Sequence, residues 1–384
     1  MRDRSASLLR FVSASLAVTA AQNERGMVTS TLQSLFGSTV ARVIQWHQRS
    51  RVAKLGFERK QLTMPSGEQV GYLEKPATVP ATGDDANLPT LVVLHGLTTD
   101  PTALVYPCGK NLNLPSGVRC LVPELLGHGS RIAHAKTSGK IGFSLEEYAQ
   151  DVDAVLDAIG IAQDERIDIM GYSLGGAATL KLAELTDARR FNRAILAAPP
   201  VVLGIGPSEE YRQGKGFTYA FETAVEATAM AQLVGADPAT AEMVGPVLAN
   251  LRRLQHGAED TIGIRDYWSR LCASIAGRPG DQPQSFRPSS PPEDVDDVPE
   301  DLPILEGAKA LSRAGVPTLV VHGAADEVCH VSGARALVRA LGQTTALCEY
   351  EEIAGCGHFF HPANPKALFL KSASRAAASF LGFR

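Results

Sequence analysis

A serine enclosed by glycines, Gly171-Tyr172-Ser173-Leu174-Gly175-Gly176, has the pattern of a nucleophile set at a sharp turn. A bare G-x-S-x-G match says little in a chain with 35 glycines. Its setting says more. A strand at Arg166–Met170 precedes it and a helical pattern follows, the strand–turn–helix context that holds a serine hydroxyl at a strand tip. The glycines suit that turn because side chains there would clash. A serine hydroxyl needs a base, and Gly355-Cys356-Gly357-His358, just beyond the last strand-like run, offers His358, with His361 second. The histidine in turn needs a carboxylate to fix its tautomer and stabilise its protonated form. Asp326, in the loop after Val320-Val321-His322-Gly323, is the candidate, with Glu327 and Asp301 as alternatives. Acyl chemistry also requires backbone N–H donors for the developing oxyanion. Leu174, directly after the nucleophile, and Leu97, after His95-Gly96, are the expected donors, and His95 itself is expected to be structural.

Those residues must be carried by a regular scaffold. Short continuous apolar runs at Leu91–Leu94 and Arg119–Pro123 read as buried strands, and Arg166–Met170, Phe191–Ala197, Pro317–Val321 and Ala346–Ile353 read as further strands. Helical patterns alternate with them at Ser144–Gly160, Leu174–Leu185, Gly333–Leu341 and Pro365–Leu381. Ser144 with Glu147 three residues on makes a capping box. Repeated β-α-β-α order implies an α/β fold, a mostly parallel central sheet flanked by helices. Gln61–Met64 and Gln69–Leu73 read as a hairpin turning at Pro65-Ser66-Gly67, and Thr78–Pro89 as a loop.

Residues 199–303 interrupt the alternation. Helical patterns around Tyr219–Val234 and Ala239–Leu254, then a proline- and acid-rich stretch, read as a helical lid inserted between two strands. The expected organisation is an N-terminal extension (1–57), a first core segment (58–198), the lid (199–303) and a second core segment (304–384). Residues 31–55 read as one basic amphipathic helix, with Leu32, Leu35, Phe36, Val40, Val43 and Ile44 at helical spacing. Such a helix suits peripheral contact with a membrane, docking on the body of the protein, or a partner groove. The basic, serine-rich start of the chain suits a mitochondrial or secretory targeting segment or an untargeted N-terminus, which leaves the compartment open among membrane, organelle and cytoplasm.

The chain has 384 residues, 45% hydrophobic and 20% charged, which excludes wholesale disorder. Net charge is −4, which argues against a nucleic-acid binder. The first 60 residues nevertheless hold ten basic residues against three acidic ones. No run of about 18 apolar residues marks a membrane span. Six scattered cysteines form no C-x-x-C and no zinc-ligand spacing. They read as small buried apolar residues, with a disulfide left open.

Leu91-Val92-Val93-Leu94-His95-Gly96, the glycine-flanked Ser173, the Val320–Val328 segment and Gly355–His358 together resemble the α/β-hydrolase superfamily over residues 60–384, the lid excepted. The chain order Ser173, Asp326, His358 is that superfamily's order. Pro123–Ser130 is similar to its D-x-P-G-H-G-x-S loop, but Glu124 and Leu126 stand where aspartate and proline are usual. That departure bears on pocket shape more than on activity. A fainter likeness is to the membrane-bound monoacylglycerol-lipase branch.

The resemblance implies a serine hydrolase that cleaves carboxylic esters, a lipase or esterase acting on a small-molecule acyl ester such as a monoacylglycerol. A C–C bond hydrolase, thioesterase or acyltransferase could use the same groups. A non-catalytic binding protein of the same fold is the reading from another class. Nothing in the sequence calls for a metal or an organic cofactor, and oligomeric state is not legible.

Overall fold

The structure is a computed structural model that describes residues 30–78, 90–97, 99–131, 143–203, 295–326, 328–342, 347–361 and 364–383. The expected targeting segment, most of the loop at 78–89, nearly all of the lid and Glu327 lie outside these residues. Residues 49–219 and 266–384 form one compact unit, which carries the sheet; residues 1–48 and 220–265 form the other.

Helix α1 (Ser30–Lys54) covers almost the whole expected helix. Its apolar stripe is weak over the helix as a whole, although Ala41, Ile44 and Val52 share one side of the axis. Strands β1 (Glu58–Thr63) and β2 (Gln69–Lys75) form the expected hairpin, paired from Glu58↔Glu74 to Thr63↔Gln69. Gly67, at φ +83°, closes its turn by donating to the Met64 carbonyl at 2.8 Å.

Then come β3 (Leu91–Leu94), α2 (Pro101–Cys108), β4 (Cys120–Pro123), α3 (Leu145–Ile159), β5 (Ile167–Tyr172), α4 (Leu174–Leu185) and β6 (Phe191–Ala197). After residue 294 follow a 3₁₀ turn, α5 (Leu305–Arg313), β7 (Thr318–Gly323), α6 (Val331–Leu341), β8 (Cys348–Ile353), the short strands β9 (Phe360–His361) and β10 (Asn364–Leu368), and α7 (Phe369–Phe380). Eight strands make one sheet in the order β1-β2-β4-β3-β5-β6-β7-β8. β1, β2 and β4 pair antiparallel and the rest parallel. Every residue of β3, β4, β5 and β7 is buried, which is why these strands are mostly apolar; the buried Asp168 of β5 is paired with Arg193 at 2.6 Å. The edge strands β1 and β8 are polar and partly exposed.

On one face Val93, Val122, Met170, Ile195 and Val321 meet Leu104 and Val105 of α2 and Phe369, Ala373 and Ala377 of α7. On the other face α4 lies almost wholly buried. Small residues permit this: a Cβ at Gly307 of α5 would fall 2.0 Å from the Leu180 carbonyl oxygen of α4. Helix α3 carries the expected capping box, Ser144 and Glu147 bonding each other's backbone N–H, and ends on Gly160 at φ +95°.

Two expectations are corrected. The terminal helix begins at Phe369, not Pro365; residues 364–368 pair antiparallel with β9 instead. The chain must turn back from His358 before it can lay α7 on the sheet, and the β9–β10 hairpin makes that turn. Helices α2 and α5 were not expected. Asp100 caps α2 by accepting from the Ala103 N–H at 2.6 Å, with Pro101 in the first turn, a helix-start pattern the sequence does contain. Cys108, Cys120, Cys329 and Cys356 are buried, Cys348 is half-buried, and all five are free thiols. Burial pushes the Cys108 and Cys120 thiols up to about 12.

Candidate active site

Strand β5 ends at Tyr172 and α4 begins at Leu174, so the whole reversal falls on Ser173, at φ +52°, ψ −117°. A non-glycine residue in this region carries strain on the order of 1–3 kcal/mol, which persists only where the surroundings enforce it. The surroundings here are glycines. A Cβ at Gly171 would lie 2.4 Å from the Gly175 carbonyl oxygen, and one at Gly175 would lie 2.3 Å from that of Leu94. Glycine at both positions lets the turn close on itself and lean on the end of β3. The Ser173 N–H donates to the Ala197 carbonyl at 2.9 Å, tying the turn to β6.

His358 and Asp326 arrive from the ends of β8 and β7. His358 Nε2 lies 3.1 Å from Ser173 Oγ, and His358 Nδ1 lies 2.7 Å from Asp326 Oδ2. With its Nδ1–H directed at the carboxylate, the imidazole presents the Nε2 lone pair to the serine hydroxyl. The second carboxylate oxygen accepts the Val328 and Cys329 N–H groups at 2.9 and 2.8 Å. All three side chains are buried. Burial opposes the charge on Asp326, but His358 and the Cys329 N–H outweigh it and hold the carboxyl below the ordinary carboxylate range.

The turn at His95–Leu97 meets Ser173 closely. A Cβ at Gly96 would fall 3.3 Å from Ser173 Cβ. The amides of Leu97 and Leu174 reach no backbone carbonyl among the described residues, and the Leu174 amide is one of the orphan donors that open a helix. His95 is fully buried, its Nδ1–H donating to the Gly96 carbonyl at 2.9 Å and its Nε2 accepting from the Leu125 N–H at 3.1 Å. Burial pushes its pKa down to about 4. It therefore holds the turn as a neutral ring.

The altered loop has a physical account. Glu124 is buried and accepts from the Gly71 and Ser130 N–H groups at 3.2 and 3.1 Å, the Ser130 hydroxyl at 2.5 Å and Arg59 at 3.0 Å. A Cβ at Gly71 or Gly129 would meet this carboxylate at 2.8 or 2.5 Å. The extra methylene of glutamate fits because both neighbours are glycine. Arg131, fully buried, makes paired bonds to Glu68 (2.7 and 2.9 Å) and Asp151 (2.6 and 2.7 Å) and donates to the Glu124 carbonyl at 3.1 Å. It clasps the loop to the β1–β2 hairpin and to α3.

Sequence reasoning missed three neighbours of Ser173, His358 and Asp326. His322 donates Nε2–H to the Cys329 carbonyl at 2.7 Å and lies 3.6 Å from Asp326 Oδ2, its Nδ1 without a hydrogen-bond partner among the described residues. Burial pushes its pKa down. Cys329 packs against Ser173. Tyr172 bonds the His358 backbone. Of the alternative acids and base, Asp301 is exposed, Glu327 lies outside the described residues, and so does the His361 side chain.

Residues 91–371 match the family model described as alpha/beta hydrolase family. No curated protein matches the chain. Among solved structures the chain is similar to a membrane phospholipase A described as a bacterial virulence factor, at TM-score 0.60 and 15% identity over 98% of this chain and 99% of that one. A lipase candidate from Acinetobacter baumannii AYE aligns at TM-score 0.57 and 15% identity, covering 88% and 94%. A serine hydrolase involved in carbazole degradation aligns at 0.51 and 16%, covering 85% and 100%. At these identities the likeness is one of fold.

Proposed function

The chain belongs to the alpha/beta hydrolase family, and from that premise we propose that it is a serine hydrolase that cleaves carboxylic esters through an acyl-enzyme. The reading rests on one observation, the continuous hydrogen-bonded line Asp326–His358–Ser173 ending at a strained turn. Ser173 Oγ attacks the ester carbonyl carbon while His358 Nε2 takes its proton. The buried Asp326 carboxylate stabilises the imidazolium that forms. The Leu97 and Leu174 amides receive the carbonyl oxygen as it becomes negative. Collapse of the tetrahedral species expels the alcohol, protonated by His358. Water, deprotonated by the same nitrogen, then attacks the acyl-serine and releases the acid.

The preferred substrates in this reading are acyl lipids such as monoacylglycerols, met at a membrane surface. Helix α1 supports it, since Arg42, Trp46 and Arg49 are exposed at i, i+4, i+7 and offer cations beside an interfacial aromatic. Among the described residues no helix is long and apolar enough to cross a membrane; the contact in this reading is peripheral.

Hydrolysis of p-nitrophenyl esters of graded chain length and of a monoacylglycerol, beside Ser173→Ala, tests the chemistry. Turnover on long acyl esters that vanishes in the variant is expected. A folded protein that turns over no ester and takes no fluorophosphonate label overturns the reading. Flotation with anionic vesicles tests the surface: the full chain is expected to float and a chain lacking residues 1–55 to stay behind. If both stay behind, the membrane role is removed; if both float, residues 1–55 do not carry it.

A further inference from the structure

We propose that Tyr172, between the first glycine of the turn and the nucleophile, is a positioning residue that fixes the His358 imidazole and so sets the reach of Nε2 to Ser173. The proposal deepens the triad reading and rests on it.

The observations converge on one side chain. Tyr172 is buried at the last position of β5. Its hydroxyl donates to the His358 backbone carbonyl at 3.1 Å. Its ring stacks on the imidazole with centroids 5.3 Å apart and planes 29° from parallel. Phe359 meets the same imidazole edge-on, at 4.8 Å and 86°. Turning the imidazole away from Ser173 would drive it into one ring or the other.

The support beneath is equally direct. Tyr172 rests on Phe369, the first residue of α7, with centroids 6.1 Å apart. The Phe369 N–H in turn donates to the Phe359 carbonyl at 3.0 Å. The tyrosine thus joins the strand that ends in the nucleophile to the loop that carries the base, across 186 residues of chain. It also borders the turn that carries the Leu97 amide, since a Cβ at Gly96 would lie 3.0 Å from two of its ring carbons. A residue needed only to fill the core could be phenylalanine. The hydroxyl instead finds the backbone of the histidine itself.

A reacting group displaced by about 1 Å can cost on the order of 100-fold in rate, so a side chain that sets 3.1 Å between Nε2 and Oγ acts on turnover more than on binding. Tyr172→Phe removes the hydroxyl and keeps the ring; Tyr172→Leu removes both. The readouts are the rate of covalent labelling by a fluorophosphonate, kcat and KM on p-nitrophenyl butyrate, and the melting temperature, with Ser173→Ala as the blank. Tyr172→Phe is expected to label about tenfold more slowly and to lose about tenfold in kcat, with KM within about twofold. Tyr172→Leu is expected to lose about 100-fold; if it does not fold, Tyr172→Phe alone decides. Labelling and turnover of Tyr172→Phe at the wild-type rate overturn the proposal while leaving the triad reading intact. So does a loss confined to KM. A wild-type protein that takes no label overturns both.

Discussion

The carboxylate of Glu124 lies where a side chain at Gly129 would begin: a Cβ there would be 2.5 Å from Glu124 Cδ and Oε1. Gly129 also has φ +56°, a conformation that L side chains rarely adopt. Gly129→Ala is therefore expected to cost about 2–4 kcal/mol of stability through strain and overlap together. Shortening the acid relieves the overlap alone. Glu124→Asp in the Gly129→Ala background should restore about 1 kcal/mol relative to additive losses. Denaturant unfolding of the four proteins measures this, and strictly additive losses would show that the carboxylate does not constrain position 129.

Asp326→Asn should keep the fold and lose the chemistry. One face of the amide can still accept the Val328 and Cys329 N–H groups. An amide NH₂ turned to His358 Nδ1 forces the imidazole proton onto Nε2, where it faces Ser173 and blocks proton transfer. A fall in kcat on the order of 10³-fold or more is expected, with a melting temperature close to wild type. Activity within tenfold of wild type would take Asp326 out of the mechanism.

Acid should destabilise the protein in two windows. His95 titrates near 4 in the folded state and near 6.5 when unfolded. The unfolded chain therefore binds more protons between those values, and stability falls as pH drops from about 6.5 to about 4. The full effect is about 3 kcal/mol. Asp326 adds a second loss as pH falls through its depressed folded value. Melting temperature against pH, for wild type and His95→Gln, reads the first window directly. The variant is expected to show a flatter slope between pH 6.5 and 4, and an unchanged slope would contradict the assignment.

Two arginine–carboxylate pairs should differ sharply in worth. Arg131 is fully buried between Glu68 and Asp151, whereas Arg335 pairs with Glu352 at 2.9 Å with its own side chain 46% exposed. Removing the buried cation strands two carboxylates away from water, so Arg131→Met is expected to cost about 3–5 kcal/mol. Arg335→Met is expected to cost less than about 1 kcal/mol. Equal losses would mean that burial is not what gives the Arg131 clasp its weight.

What could be read from the sequence follows the range of the interactions involved. The inner strands announce themselves because full burial demands continuous apolar runs. Ser173, Asp326 and His358 stand at strand ends, so finding the strands finds the candidates. Helix α2 carries its own start signal in Asp100-Pro101, hidden by a second proline, Pro107, inside only eight residues. Pro365 misled in the opposite sense: a residue that suits a helix start also suits a short strand beside a turn. The partners of Arg131 lie 63 and 20 residues away in the chain, and Tyr172 meets His358 across 186. No local period encodes such pairs. The motif leaves the position of Tyr172 free, so nothing in it points to the histidine loop.

The separation of Ser173 and His358 by 185 residues also has a meaning in time. At roughly 5–20 residues per second, synthesis reaches the histidine roughly 10–40 s after the serine. Throughout that interval Ser173 exists without His358, and the helix Phe369–Phe380 has yet to be made. A half-made chain consequently lacks the proposed site. The proposed reactivity would be switched on by completion of the fold, so covalent labelling of Ser173 in a translation reaction would report finished molecules and no others.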